Sequence, residues 1–235
     1  MTLLVTRGLS REFGGLHAVE NVDFALDQGE VRAIIGPNGA GKTTFVSLIC
    51  GRIAASAGQV MFRGEDISRL PAHRRVGRGI AYTFQITSVF ANLSVFDNVA
   101  LAVQNRRSGA ADLESQTHAV LARVGLAGRK DATAATLAYG HQRLLELAMG
   151  LALDPTLLIL DEPTQGLSDY EIGQFSALVR DAAKTLTVLL IEHNMDVVMD
   201  LASRITVFDR GRILAEGTRE EIRSNADVQR VYLGS

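Results

Sequence analysis

The chain has 235 residues, 47% of them hydrophobic and 21% charged, enough apolar content to bury a core in one domain or two small ones. A disordered chain and a fibrous repeat are excluded. Twenty-four Lys and Arg against 26 Asp and Glu give a formal charge of −2, so no bulk field draws the protein to nucleic acid or anionic lipid.

Cys50 is the only cysteine, which excludes an internal disulfide and a multi-cysteine metal site and fits a reducing compartment. No apolar run reaches the ~20 residues that span a bilayer, and the stretch from Met1 to Arg7 runs into a strand-like segment rather than a signal peptide. The expectation is a chain soluble on its own in the cytosol.

Short β-rich runs alternate with helical ones, the pattern of a parallel sheet with helices packed on it. Residues 3–6, 22–26 and 31–35 are predicted strands, the last a continuous apolar run of the buried kind. A helix is predicted over 43–50, and strands over 58–62 and 80–83 bracket a basic segment that opens at Pro71. His73, Arg74, Arg75 and Arg78 in that segment, beside Gly77 and Gly79, read as a solvated helix face.

From 95 to 153 the pattern is helical only. Leu113, Thr117, Val120, Leu121 and Val124 share one face, and Leu144, Leu147, Ala148 and Leu151 share another. Residues 95–150 are therefore expected to form a helical subdomain, with Arg106 and Arg107 at a helix end favoured by the macrodipole. Strands at 157–160, 187–191 and 204–208 then alternate with helices at 170–184 and 195–201. A turn at Asp209, Arg210 and Gly211 leads to a strand at 213–215, a helix from about Glu220 and a tail ending in Val231, Tyr232 and Leu233. The whole, 1–235, reads as one domain, with 218–235 its C-terminal helix and tail.

Gly36, Pro37, Asn38, Gly39, Ala40, Gly41, Lys42 and Thr43 follow an apolar strand and open a helix, the context that the Walker A phosphate loop requires. The glycines at 36, 39 and 41 let backbone N–H groups turn inward around phosphate oxygens, and the positive helix end adds to the attraction. Lys42 is expected to neutralise the β- and γ-phosphates of a nucleotide and Thr43 to sit on Mg²⁺, with Thr44 beside them. The buried strand at 157–160 releases Asp161 and Glu162 at its C-terminal end, where open α/β sheets place ligands. Asp161 fits a metal-holding role, which leaves Glu162 to orient or deprotonate a water attacking the γ-phosphate. His17, His73, His118 and His141 show no metal-ligand spacing and read as surface or loop residues, and Cys50 as a small core residue.

Three further features decide among phosphate-loop classes: Gln85 after the strand at 80–83, the run Leu137, Ala138, Tyr139, Gly140, His141 and Gln142 before Asp161, and His193 after the strand at 187–191. Together with Asp161, Glu162, Pro163 and Thr164, this order resembles the nucleotide-binding subunits of ATP-binding cassette (ABC) transporters over essentially the whole chain. The resemblance implies a P-loop NTPase (ABC ATPase) α/β core with an antiparallel β portion and a helical subdomain. It also implies ATP and Mg²⁺ as ligands and a dimer whose two sites each combine halves of two subunits.

In that family Gln85 looks like a glutamine that ligates Mg²⁺ and senses the γ-phosphate, and His193 like the switch histidine that contacts the γ-phosphate and the attacking water. Leu137, Ala138, Tyr139, Gly140 and His141 look like the signature that caps the nucleotide of the opposite subunit. Phe13 falls where the family stacks an aromatic ring on adenine. Three positions depart from the family pattern: Ala138 and Tyr139 replace the signature's usual Ser and first Gly, and Ser168 stands where Asp is common.

The run from Leu137 to Arg143, the run from Leu190 to Met195 and the tail from Val231 to Gly234 look like the branched-chain amino-acid importer branch. That resemblance implies an ATPase subunit at the cytoplasmic face of the inner (plasma) membrane. Its partners would be two integral-membrane permease subunits, a self-dimer or homologous second ATPase subunit and, indirectly, an extracytoplasmic solute-binding protein, with no nucleic acid. Val89 and Phe90, just past Gln85, are expected to dock a short helix of the membrane subunit. The alternatives are the cassette of a related urea or amide importer and a non-catalytic regulatory nucleotide-binding module.

Overall fold

The structure, a computed structural model, describes residues 1–83, 88–105 and 110–233. Gln85, Arg106, Arg107 and Gly234, singled out above, lie outside the described residues. The first elements in chain order are β1 (Thr2–Phe13), β2 (Leu16–Asp27), β3 (Val31–Ile35), α1 (Lys42–Ile49), β4 (Ala57–Phe62), β5 (Glu65–Asp66), α2 (Ala72–Val76) and β6 (Ile80–Thr83). Helices α3 (Val95–Gln104), α4 (Ala110–Arg123) and α5 (Tyr139–Ala152) come next. The chain then alternates through β7 (Leu157–Asp161), α6 (Asp169–Ala182), β8 (Thr187–Ile191), α7 (Met195–Leu201) and β9 (Arg204–Asp209), and ends with β10 (Arg212–Gly217), α8 (Arg219–Ser224) and α9 (Ala226–Leu233).

Among the described residues these strands form two sheets, one ordered β2-β1-β4-β5 and the other β10-β9-β3-β8-β7-β6. The first is antiparallel. In the second all neighbours run parallel except the β9–β10 pair. Every residue of β7 and β8 is buried, as expected of parallel strands covered on both faces. Strands β1 and β2 run well beyond the lengths predicted, because register shifts between Thr6 and Arg11 break the apolar alternation while the pairing continues. Gly8, at φ +56°, marks that irregularity, and Asp23 Oδ1 accepts its N–H at 2.7 Å.

Helix α1 lies between the two sheets. Phe45 packs edge-on against Phe24 of β2 at 5.4 Å between ring centroids and against Phe208 of β9 at 5.0 Å. Full burial of one such ring is worth about 1.5–3 kcal/mol, so the helix that carries the phosphate loop is clamped from both sides. A second core joins α3, α4 and α5 to the opposite face of the parallel sheet. Cys50 is a buried core residue whose thiol is pushed up to about 12 by burial. No helix among the described residues is long and apolar enough to cross a membrane.

The basic segment differs from expectation at one position. Arg74 is exposed, but Arg75 is buried and turns inward. Its guanidinium donates to the carbonyls of Leu48 and Ile49 at 2.8 and 2.6 Å, and to those of Leu70 and Ser68 at 2.8 and 2.9 Å. The carbonyl end of α1 has no basic residue of its own, so Arg75 supplies the cation that a helix C-terminus favours. Arg75→Leu should therefore lower stability by about 3 kcal/mol in urea unfolding, since it leaves several buried carbonyls unpaired. An unchanged midpoint would reject this capping role.

Candidate functional site

The register of the parallel sheet aligns the site. Ile191 of β8 stands opposite Ile34 of β3 on one side and Asp161 of β7 on the other. Neighbouring strands lie about 4.8 Å apart, so the residues just past this row, from Ile35 into Gly36, at Glu162 and at Glu192, emerge side by side. Two backbone bonds hold the row: Glu162 N–H donates to Ile191 O at 2.9 Å, and Glu192 N–H to Ile34 O at 3.4 Å.

Between β3 and α1 the loop must pass under neighbouring backbone. A Cβ on Gly36, at φ +150°, would stand 2.2 Å from Phe208 O, and one on Gly41, at φ +99°, 2.2 Å from Ala18 O. Only glycine fits either place. The loop is also buttressed from β9–β10, where Gly211 N–H donates to Ala40 O at 2.9 Å. Lys42 Nζ donates to Gly36 O at 2.6 Å and Pro37 O at 3.0 Å. Burial holds Lys42 below the ordinary lysine value, against the opposing pull of Glu162 and Asp161.

Asn38, Gly39, Ala40, Gly41, Lys42, Thr43, Thr44, Glu162 and His193 line one cavity of about 510 Å³. Gly36 and Asp161 underlie this region without lining it. Leu16, His17, Ala18 and Arg210 complete the wall. Phe13 is not among the lining residues: it ends β1 at the hairpin tip, with the Arg11 guanidinium 4.3 Å over its ring and 44% of the residue exposed. Nothing in the sequence marks His17 and Arg210 as parts of the wall. Both reach the cavity of the phosphate loop from other segments, a tertiary neighbourhood with no local sequence signal.

Asp161 is fully buried. The Tyr82 hydroxyl of β6 donates to its Oδ2 at 2.7 Å, while Oδ1 has no hydrogen-bond partner among the described residues. Burial raises the Asp161 carboxyl above the ordinary aspartate value; the Tyr82 bond pulls it down, Glu162 adds to the rise, and Arg52 and Lys42 oppose it. Glu162 occupies left-handed backbone at φ +48°, which costs a side chain other than glycine about 1–2 kcal/mol. That turn aims its carboxylate at His193, whose Nε2–H donates to Glu162 Oε1 at 2.6 Å.

The signature-like residues lie elsewhere. Gly140 and His141 line a separate cavity of about 410 Å³ with Leu167, Ser168 and Glu171, sharing no residue with the first. Leu137 is buried, Ala138 is the N-cap of α5 without a side-chain cap bond, and Tyr139 begins the helix. The N–H groups of its first turn are therefore left to an external acceptor. A Cβ on Gly140 would stand 2.1 Å from Glu171 Oε1, so a side chain there would displace Glu171 from its present place. The Tyr139 hydroxyl donates to Gln165 O at 3.1 Å and accepts from Arg143 Nε at 3.0 Å, which fastens the start of α5 to the loop after β7. Ser168 has a local duty: it caps α6 in a reciprocal box with Glu171.

The sequence profile described as ABC transporter matches residues 19–165, and the one described as branched-chain amino acid ATP-binding cassette transporter matches residues 212–235. The chain is 37% identical over 250 residues to the high-affinity branched-chain amino acid transport ATP-binding protein BraF of Pseudomonas aeruginosa, an alignment covering 99% of this chain and 98% of that one. It is 38% identical over 249 residues to LivG of Salmonella typhimurium, a protein of the same description, with the same coverage. A solved nucleotide-free ATP-binding cassette from an ABC transporter superposes with a TM-score of 0.90 at 28% identity over the full length of both chains. With the phosphate loop, the strand-end carboxylates and these full-length likenesses together, the chain belongs to the ABC transporter family as one of its ATP-binding, ATP-hydrolysing cassettes.

Proposed function

We propose that this cassette energises the import of branched-chain amino acids. The observation that carries the reading is the match of residues 212–235 to the branched-chain profile, in a chain that also aligns end to end with BraF and LivG. It works as a peripheral subunit at the cytoplasmic face of the membrane, beneath two permease subunits and paired with a second cassette, either another copy or a homologue.

Backbone N–H groups of the loop from Gly36 to Thr44 cradle the phosphates, and Lys42 leaves its two loop carbonyls to meet the γ-phosphate. Phe13, with one ring face under Arg11, offers the other to adenine. The residues fit a divalent cation, because Asp161 brings a buried carboxylate oxygen without a partner among the described residues, and Thr43 brings a hydroxyl to the same cavity region. Thr43, Asp161 and Gln85 would hold Mg²⁺, which when bound neutralises charge on the β- and γ-phosphates. Glu162 accepts the proton of the attacking water, and His193, bonded to it at 2.6 Å, fixes its direction and contacts the γ-phosphate.

Leu137, Ala138, Tyr139, Gly140 and His141 act on the partner cassette's nucleotide. The uncapped first turn of α5 offers backbone N–H groups in place of the missing serine hydroxyl. Toward the membrane, Phe90 is the docking residue. Asn98 grips its backbone at both ends, accepting from Phe90 N–H at 2.7 Å and donating to Phe90 O at 3.1 Å, and the residue so held is 53% exposed. Val89 is half-buried against the helical core and is the weaker candidate.

Glu162→Gln should keep ATP affinity and lower kcat by about 10²–10⁴-fold, the usual worth of a general base. Steady-state ATPase assays and calorimetry test this, and a wild-type rate would remove Glu162 from the chemistry.

Asp161→Asn keeps an acceptor for Tyr82 but removes the buried charge. Because the Asp161 carboxyl titrates higher in the folded chain than in the unfolded one, stability is lost as pH rises from the ordinary aspartate value through the raised one. The nucleotide-free Asp161→Asn variant should therefore be more stable than wild type at neutral pH in urea unfolding. The gain should vanish below both values, and Mg²⁺-dependent hydrolysis should be lost. Equal stability at neutral pH would show that the charge carries no penalty.

In proteoliposomes with its membrane subunits and binding protein, the cassette should drive ATP-dependent uptake of leucine and not of urea. Phe90→Asp should abolish that uptake while the isolated chain keeps its ATPase rate. Urea uptake without leucine uptake would transfer the chain to the related importer branch.

A further inference from the structure

Glu192 stands between the last residue of β8 and His193, and no role attaches to it in the mechanism above. It is buried, with 3% exposure, and four donors converge on its carboxylate. Oε2 accepts the N–H groups of His193 at 2.9 Å and Asn194 at 3.1 Å. Oε1 accepts Thr164 N–H at 3.1 Å and also the Thr164 hydroxyl. One carboxylate thus joins the loop after β8, which carries His193, to the loop after β7, which carries Glu162 two residues before Thr164.

We propose that Glu192 is a positioning residue for hydrolysis, a staple that sets the register between the two loops and so aims His193 and Glu162 at each other. The inference rests on the roles given above to that pair. The backbone bonds at the strand ends hold only the start of each loop: Glu162 sits in a costly left-handed turn, and His193 is exposed enough that packing alone does not fix its side chain. The His193–Glu162 bond joins the two loops at their tips and Glu192 joins them at their base, so the pair keeps its geometry even when water or phosphate enters between the tips. A neutral amide cannot reproduce the staple. With Glu192→Gln the side-chain NH₂ would face either the N–H of Thr164 or those of His193 and Asn194, so one arm would be lost. Glu192→Ala would lose both.

The test is a kinetic series on the full chain: Glu192→Gln, Glu192→Ala and Thr164→Val, each alone and in a His193→Ala background. Thr164→Val removes only the hydroxyl arm and keeps the side-chain shape, so it serves if Glu192→Ala does not fold. Readouts are kcat, KM for ATP, ATP affinity by calorimetry and the thermal midpoint.

The expected result is a fall in kcat of about 10–10²-fold for Glu192→Ala, consistent with catalytic groups misplaced by an ångström, with smaller falls for Glu192→Gln and Thr164→Val. ATP affinity should stay within about twofold. In the His193→Ala background the same changes should cost less than about threefold, because their effect runs through His193. Two results would overturn the inference: a wild-type kcat in Glu192→Gln and Glu192→Ala, or losses in kcat that multiply undiminished onto His193→Ala and track the thermal midpoint. A wild-type rate in His193→Ala itself would instead remove the role of the pair, and the inference with it.

Discussion

Strands β3, β7 and β8 end side by side, and that shared edge positions everything at the site. Gly36, Glu162 and Glu192 all lie just past the row formed by Ile34, Ile191 and Asp161. The phosphate loop, the carboxylates and the histidine loop are thereby neighbours without any of them having to reach. The clamp of α1 between two sheets and the Arg75 cap at its far end keep the loop's own helix from moving relative to that row.

Helix capping divides the surface in a similar way. Helices α3, α6, α7 and α8 each begin with a side chain, from Ser94, Ser168, Asn194 or Thr218, that satisfies their own first-turn N–H groups. Helices α1 and α5 begin with Gly41 and Ala138, which do not. A helix that caps itself has no donors to spare for an anion, and α1 and α5, left open in this way, are both assigned to phosphate. In this light Ala138 is less a loss than a choice between a capping side chain and exposed backbone. Ser168, the other departure from the family pattern, falls on the self-capped side.

Much of this was legible in the sequence because buried parallel strands announce themselves as continuous apolar runs. The predicted strands at 31–35, 80–83 and 187–191 coincide with β3, β6 and β8, and Asp161 and Glu162 follow from asking what such a strand releases at its end. The same question asked of β8 finds Glu192, which is also a carboxylate at the end of an apolar run. What sequence could not supply was inward turning against local pattern. Arg75 lies in a run of cations that reads as solvated, and the carbonyls that draw it inward, those of Ser68 and Leu70 and those at the end of α1 more than twenty residues earlier, carry no mark in that run. His17, Arg210 and Tyr82 are similar: each meets the site only through segments distant in sequence, which leaves no periodic trace. The long hairpin of β1 and β2 escaped because its bulges shift the side-chain alternation.

Strand β3 has no sheet partner before residue 187 in the chain: its neighbours are β8 and β9, and the turn at Gly211 completes the loop it carries. The N-terminal hairpin can pair as soon as it is made, whereas the phosphate loop, though encoded in the first fifth of the sequence, has no fixed walls until nearly all of the chain has left the ribosome. Contacts of such long sequence separation form late. Competence to hold a nucleotide is therefore among the last properties the growing chain acquires, and a cassette interrupted during synthesis presents to the cell an apolar β3 strand without its sheet rather than a half-working ATPase.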